Sequence, residues 1–221
     1  MCRFLMVESV APRRPADWLH RFAEMAERSR SLDGDRQADG WGFAFLDGAE
    51  KWRGYWSLRP VWEEEAVFEN LPPSRRFLVH ARSASFPGQL GKLAYNQPYL
   101  GGGTAFVFNG LLRGVSLGRP VAGEIGAQKI WSLFGSSPKG IPVRERFDTL
   151  IRTIEGSCRE ISALNLGLGD AGGFLAYCRA SAAGDYYRLR MAEAAGLRLI
   201  CSEPLDGGDF RDLPLNTIVS I

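Results

Sequence analysis

A layered α+β fold, with helices laid on sheet, is what this chain predicts, and three observations carry it. Short apolar segments rich in aromatic and β-branched residues fill the first half. Two consecutive amphipathic helical patterns follow within residues 122–159, and strand-like segments return in the last third. Helices grouped between runs of strands make a helical layer on a sheet. With 221 residues, 45% hydrophobic and 24% charged, the chain can bury a large core, and no linker-like stretch divides it. One domain over residues 1–221 is expected, with no internal repeat and no low-complexity segment.

Residues 2–8, bounded by Pro12 and Pro15, predict a strand that starts at the chain end. Pro15-Ala16-Asp17 opens a helix in which Trp18, Leu19, Phe22, Met25 and Ala26 recur three and four apart, leaving His20 on the surface. Residues 31–39 are polar and turn-rich. Residues 40–46 predict an apolar strand whose two glycines mark close backbone approach, and Asp47-Gly48 turns it into a hairpin partner over residues 51–57. Trp52 and Trp56 are expected in the core. Residues 61–70 read as a short helix, with Glu63, Glu64 and Glu65 on a solvated face. Residues 77–80 form a buried strand leading into Arg82, and residues 104–108 another, ending at Asn109-Gly110. Helices are expected over 122–134 and 143–159, with Gly135 and Gly156 near their ends. Strands are expected over 163–168, 174–179, 186–191, 197–201 and 217–221, with Asp170, Gly172-Gly173 and Gly184-Asp185 as turns.

Charge and composition exclude several functions. With 27 basic and 25 acidic residues, net charge +2 and no run of one sign, neither nucleic acid nor a membrane surface is an expected partner. Cys2, Cys158, Cys178 and Cys201 are too dispersed for a zinc knuckle, and only His20 and His80 could add imidazole ligands. No metal and no cofactor is expected. The start of the chain lacks a signal-peptide pattern, and no apolar run reaches membrane-span length. A cytoplasmic protein with reduced thiols is the expectation.

The residue with the clearest chemical potential is Cys2. Removing Met1 would leave a thiol and a free α-amine on one residue, with reference pKa values of about 8.5 and 8, so the neutral amine could take the thiol proton during attack. Arg82, where a buried strand ends, calls for a carboxylate: a substrate's, through two-point recognition by its planar fork, or a structural Asp or Glu. Asn109-Gly110 is a turn signal by propensity. Its alternative is an oxyanion hole built from the Asn amide and a Gly N–H, glycine serving because a side chain would crowd the substrate.

Met1-Cys2, the run 39–45 (D-G-W-G-F-A-F), the run 80–85 (H-A-R-S-A-S), Asn96-Gln97-Pro98-Tyr99 and the run 106–110 (F-V-F-N-G) follow one another in an order that resembles the type II glutamine amidotransferase domain, an N-terminal-nucleophile hydrolase. Residues 168–170, 176–179 and 201–205 extend the resemblance over the whole chain, toward the stand-alone subgroup that includes the γ-glutamyl hydrolase of ergothioneine biosynthesis. The resemblance implies a four-layer αββα sandwich. It implies attack of Cys2 on a γ-carboxamide, with Asn109 and Gly110 holding the oxyanion and a γ-glutamyl thioester as intermediate. Arg82 would bind the substrate's α-carboxylate, Gln97 would line the substrate site, and Arg36, three residues before Asp39, would shield the nucleophile. One departure stands out. Residues 125–128 (I-G-A-Q) occupy the place of an acidic element that binds the substrate's α-ammonium, and Glu124 is out of register. Ser83 replaces an aromatic residue of some relatives. The expected substrate is therefore glutamine or a larger γ-glutamyl conjugate, with ammonia released or passed to a separate ammonia-accepting synthase. A non-catalytic binding module that keeps the fold is the alternative.

Overall fold

The structure is a computed structural model that describes residues 1–30, 34–138, 140–181 and 185–221. The start of the turn-rich stretch expected from residue 31, and Gly184 of the expected Gly184-Asp185 turn, lie outside the described residues.

Among the described residues, twelve strands form two antiparallel sheets. In chain order the elements are β1 (Arg3–Arg13), α1 (Ala16–Glu27), β2 (Trp41–Leu46), β3 (Trp52–Ser57), α2 (Glu65–Phe68), β4 (Ser74–Ala81), β5 (Tyr99–Gly101), β6 (Thr104–Arg113), α3 (Gly126–Gly135) and α4 (Val143–Ser157). After α4 come β7 (Glu160–Asp170), β8 (Gly173–Ala180), β9 (Arg190–Ala194), β10 (Leu197–Cys201), β11 (Arg211–Asp212) and β12 (Ile218–Ser220). The seven-stranded sheet runs β11-β9-β10-β1-β4-β2-β3 and the five-stranded sheet β12-β8-β7-β6-β5.

Alternation along the strands builds the layers. Phe4 and Met6 of β1 face the five-stranded sheet and pack with Ala105, Val107, Phe174 and Ala176. Leu5 and Val7 point the other way, onto Leu19, Phe22, Ala23 and Ala26 of α1. On the far side, Ile130, Leu133 and Phe134 of α3 and Phe147, Leu150, Ile151 and Ile154 of α4 cover Phe106, Leu164, Leu166 and Leu168. The order helix, sheet, sheet, helix is thus the αββα sandwich.

Several local expectations change. β1 continues past Glu8 to Arg13 because β10 and β4 pair with it on both sides, through a register shift between Glu8 and Arg13. Residues 61–70 are not one helix. They break at Glu64, whose carboxylate leaves the solvated face to accept Trp41 Nε1 at 2.7 Å and Tyr55 Oη at 3.2 Å. β6 does not end at Asn109-Gly110 but runs to Arg113, paired with β7 across both residues. α3 starts at Gly126 rather than 122. In place of the strand expected over 186–191 there is a short 3-10 turn, Asp185–Tyr187, followed by β9. The glycines of β2 act as expected. A Cβ on Gly42 would meet Gln97 O at 2.4 Å, and Gly40, at φ +107°, would meet Asn96 Nδ2 at 2.3 Å. Their absence of side chains lets residues 96–97 lie against β2.

Candidate active site

Cys2 sits at the end of β1, near the middle of the seven-stranded sheet, so sheet pairing fixes the chain end. Arg3 adds an anchor: its Nε donates to Glu203 Oε2 at 3.0 Å and to Ser29 Oγ at 3.1 Å. The Cys2 thiol meets the turn after β4, with Sγ 3.4 Å from Ser83 N and 3.5 Å from Ser83 O. Asp39 holds that turn, accepting Ala84 N–H at 2.7 Å and donating its own N–H to Arg82 O at 3.0 Å. Burial pushes the Cys2 thiol above its ordinary value; the Ser83 N–H, the terminal ammonium and Arg82 pull it down, and Asp35 pushes it up. The net rise keeps it a thiol at neutral pH, so attack requires a base.

Met1 is held at two points. Its ammonium pairs with the Asp35 carboxylate, and its carbonyl accepts Gln37 Nε2 at 3.1 Å. Asp35 also accepts Ser83 Oγ at 2.6 Å. With Met1 attached, the Cys2 nitrogen is an amide and cannot serve as the base.

Arg82 is 3% exposed. Its Nη2 donates to Gln89 O at 2.7 Å and its guanidinium lies 5.4 Å from the centre of the Tyr95 ring, while Nη1 is buried without a hydrogen-bond partner among the described residues. No carboxylate among the described residues pairs with it, so the structural Asp or Glu is not what occupies its fork. His80, one strand position before Ala81, is fully buried. Burial and the Arg82 charge bring its pKa down to about 3, making it a neutral spacer.

Asn109 and Gly110 are adjacent on β6, opposite Asn165 and Leu164 of β7. Asn109 is buried and its Oδ1 has no hydrogen-bond partner among the described residues. At Gly110 a Cβ would meet Ala163 O at 2.4 Å and the Phe108 ring at 2.8 Å. The neighbouring strand and ring therefore demand the glycine, whatever the substrate does.

Gln97 lines the cavity, and its amide is also engaged inside the protein. Its Oε1 accepts Phe108 N–H at 2.6 Å, and its Nε2 donates to Phe108 O at 3.0 Å and lies 3.2 Å from His80 Nε2. Donors and acceptor are all engaged inside the protein, one residue from Asn109. Arg36 points away from the thiol: it pairs with Glu27 at 3.1 Å and lies over the Trp62 ring. Glu124 binds Tyr95 Oη and Lys92 Nζ on the outer side of Tyr95, in a neighbouring cleft. Asp35 and Gln37, in a polar loop, and Gln89, at the end of a 3-10 turn between Phe86 and Leu90, went unnoticed in the sequence, since no spacing separates them from their neighbours.

Cys2, Arg82, Ser83, Gln97, Asn109 and Gly110 line one cavity of about 620 Å³, which opens between the end of β6, the loop carrying Phe86 and the start of α3. Residues from both sheets and two loops thus converge although they are separated by more than a hundred positions in sequence.

No family model matches the sequence, and no curated protein matches it. Solved structures do. The glutamine phosphoribosylpyrophosphate (PRPP) amidotransferase of B. subtilis superposes with TM-score 0.71 at 13% identity, covering 100% of this chain and 47% of that one. The chain has the fold of the class-II glutamine amidotransferases. A glutamine aminotransferase class-II domain protein from Silicibacter pomeroyi matches at TM-score 0.66 and 14% identity, covering 100% of this chain and 94% of that one. A predicted glutamine amidotransferase from Pseudomonas aeruginosa matches at 0.58 and 18%, covering 99% and 96%. The chain therefore spans about half of the B. subtilis amidotransferase but nearly all of the other two. In this fold the cavity lies where β1 and β6 bring Cys2 and Asn109 to the same opening.

Proposed function

We propose that the chain hydrolyses a γ-glutamyl amide through a thioester on Cys2. The observation that supports this best is the meeting, in one cavity, of a thiol at the chain start, a buried guanidinium nitrogen without a partner, and the Asn109-Gly110 pair. Arg82 Nη1 takes the substrate's carboxylate, which places the γ-carbonyl at Cys2. The Cys2 α-amine, free once Met1 is removed, accepts the thiol proton as sulfur adds to the carbonyl carbon. The oxyanion is stabilised by the Asn109 amide and the Gly110 N–H. The tetrahedral adduct collapses with cleavage of the C–N bond. The proton returns to the departing nitrogen, and ammonia or an amine leaves. Water then attacks the thioester, with the same amine as base, releasing the γ-carboxylate and the thiol.

The stand-alone subgroup that hydrolyses a γ-glutamyl conjugate is the finer reading, in keeping with a cavity larger than a glutamine side chain needs. Four free thiols fit a reducing compartment such as the cytoplasm, and no helix among the described residues is long and apolar enough to cross a membrane. The test is release of ammonia or amine from a panel of γ-glutamyl amides by protein shown by intact mass to lack Met1. Cys2→Ala is expected to fall to background with its circular dichroism spectrum unchanged. Full activity in that variant overturns the mechanism.

A further inference from the structure

The charges around the cavity define the acyl donor more narrowly than the reading above, on which this inference rests. Arg82, Arg113 and Lys129 line the cavity, and among the described residues no aspartate or glutamate does. Asp35 does not line the cavity; its carboxylate accepts the Ser83 hydroxyl and, while Met1 is attached, pairs with the terminal ammonium. Glu124 is engaged by Tyr95 and Lys92 outside it. A free α-ammonium entering this space meets no carboxylate among the described lining residues, whereas a substrate carboxylate meets Arg82 Nη1, which has no hydrogen-bond partner among them.

The rest of the lining is apolar. Ile125, Ile130 and Leu133 from the start and inner face of α3 stand with Leu111 and Leu117 around a volume that exceeds a five-carbon acyl group. The rim residues Phe86 and Val115 are 66% and 48% exposed, so the apolar wall continues to the mouth. This wall is continuous with the reactive end, and its occupant is therefore part of the substrate.

We propose that the substrate is a glutamine acylated on its α-nitrogen by an apolar group, with the α-carboxylate free. Acylation removes the ammonium, leaves the carboxylate for Arg82, and supplies an apolar chain for the wall formed by Ile125, Ile130 and Leu133. The bond broken is the γ C–N bond: N-acylglutamine and water give N-acylglutamate and ammonia, and the N-acyl amide is untouched.

The experiment compares glutamine, N-acetylglutamine and N-octanoylglutamine as ammonia donors for the Met1-free enzyme. kcat/KM is expected to rise in that order, by at least about tenfold from the first to the last, since burying a few methylenes supplies that factor. Ile125 is the N-cap of α3, with extended backbone angles, a position where aspartate is favoured, so Ile125→Asp is expected to fold while placing a carboxylate on the cavity wall. It should raise activity on glutamine and lower it on N-octanoylglutamine. Wild-type preference for glutamine overturns the inference and leaves the amide-hydrolase reading standing. A preference for the long acyl chain that Ile125→Asp leaves unmoved overturns its placement on this wall. Absence of ammonia release with all three substrates overturns the inference, and only failure on the whole γ-glutamyl amide panel as well overturns the amide-hydrolase reading.

Discussion

Arg82 and His80 share the end of β4 and carry opposite consequences. Burying a guanidinium nitrogen without a partner is costly, and an incoming carboxylate offsets that cost. Arg82→Ala is therefore expected to lower kcat/KM for carboxylate-bearing amides by roughly ten- to a hundredfold, the range of a charged hydrogen bond. Amides lacking the carboxylate should be almost unaffected, and parallel steady-state kinetics on the two substrate types check this. His80 is neutral because its folded pKa, about 3, lies below its ordinary 6.5. Between these values the unfolded chain binds a proton that the folded chain does not, so stability is full above pH 6.5 and is lost as pH falls toward 3. Melting curves at pH 7.5 and pH 5 should differ by about 2 kcal/mol from this residue, and His80→Gln should flatten the dependence.

At the scale of elements, β5 and Gln97 explain how Asn109 is aimed. β5 pairs with β6 only from Tyr99↔Phe106 to Gly101↔Thr104. Continuing that antiparallel register would set residue 97 opposite Phe108, and there the Gln97 side chain replaces the missing backbone, giving Phe108 both of its hydrogen bonds. Gln97→Leu leaves a buried N–H and C=O unpaired, an expected loss of about 1–3 kcal/mol. The accompanying shift of Asn109 should lower kcat while KM changes little. Denaturant titration and kinetics on one preparation separate the two effects, and a variant that loses only KM would return Gln97 to direct substrate contact.

Across the whole molecule, the site exists because the sandwich brings together residues distant in sequence. Cys2 comes from the seven-stranded sheet, Asn109 and Gly110 from the five-stranded sheet, and Arg82 from the loop that Asp39 fastens. The chain end is part of this assembly. Met1, clamped by Asp35 and Gln37, keeps the Cys2 nitrogen an amide. A variant with an uncleavable residue ahead of Cys2 is expected to melt within about 2 °C of the processed protein and to show no turnover, because no stabilising contact of β1 is lost while the base is. Turnover equal to that of the processed protein would place the base elsewhere.

The layered α+β arrangement and the amphipathic faces of α1, α3 and α4 were legible in the sequence because periodicity is a local property, while the αββα order and the choice of Cys2, Arg82 and Asn109-Gly110 as candidates leaned on the order of motifs that carries the family resemblance. The continuation of β6 through Asn109-Gly110 was not: by propensity the pair is a turn, and only pairing with β7 holds it extended. Nor could the sequence show that Gln97 spends its amide on Phe108, that Arg36 turns to Glu27, or that the cavity has no acid on its walls among the described residues. Those facts depend on which side chains meet across sheets and loops. Long-range packing decides this, and spacing along the chain does not encode it.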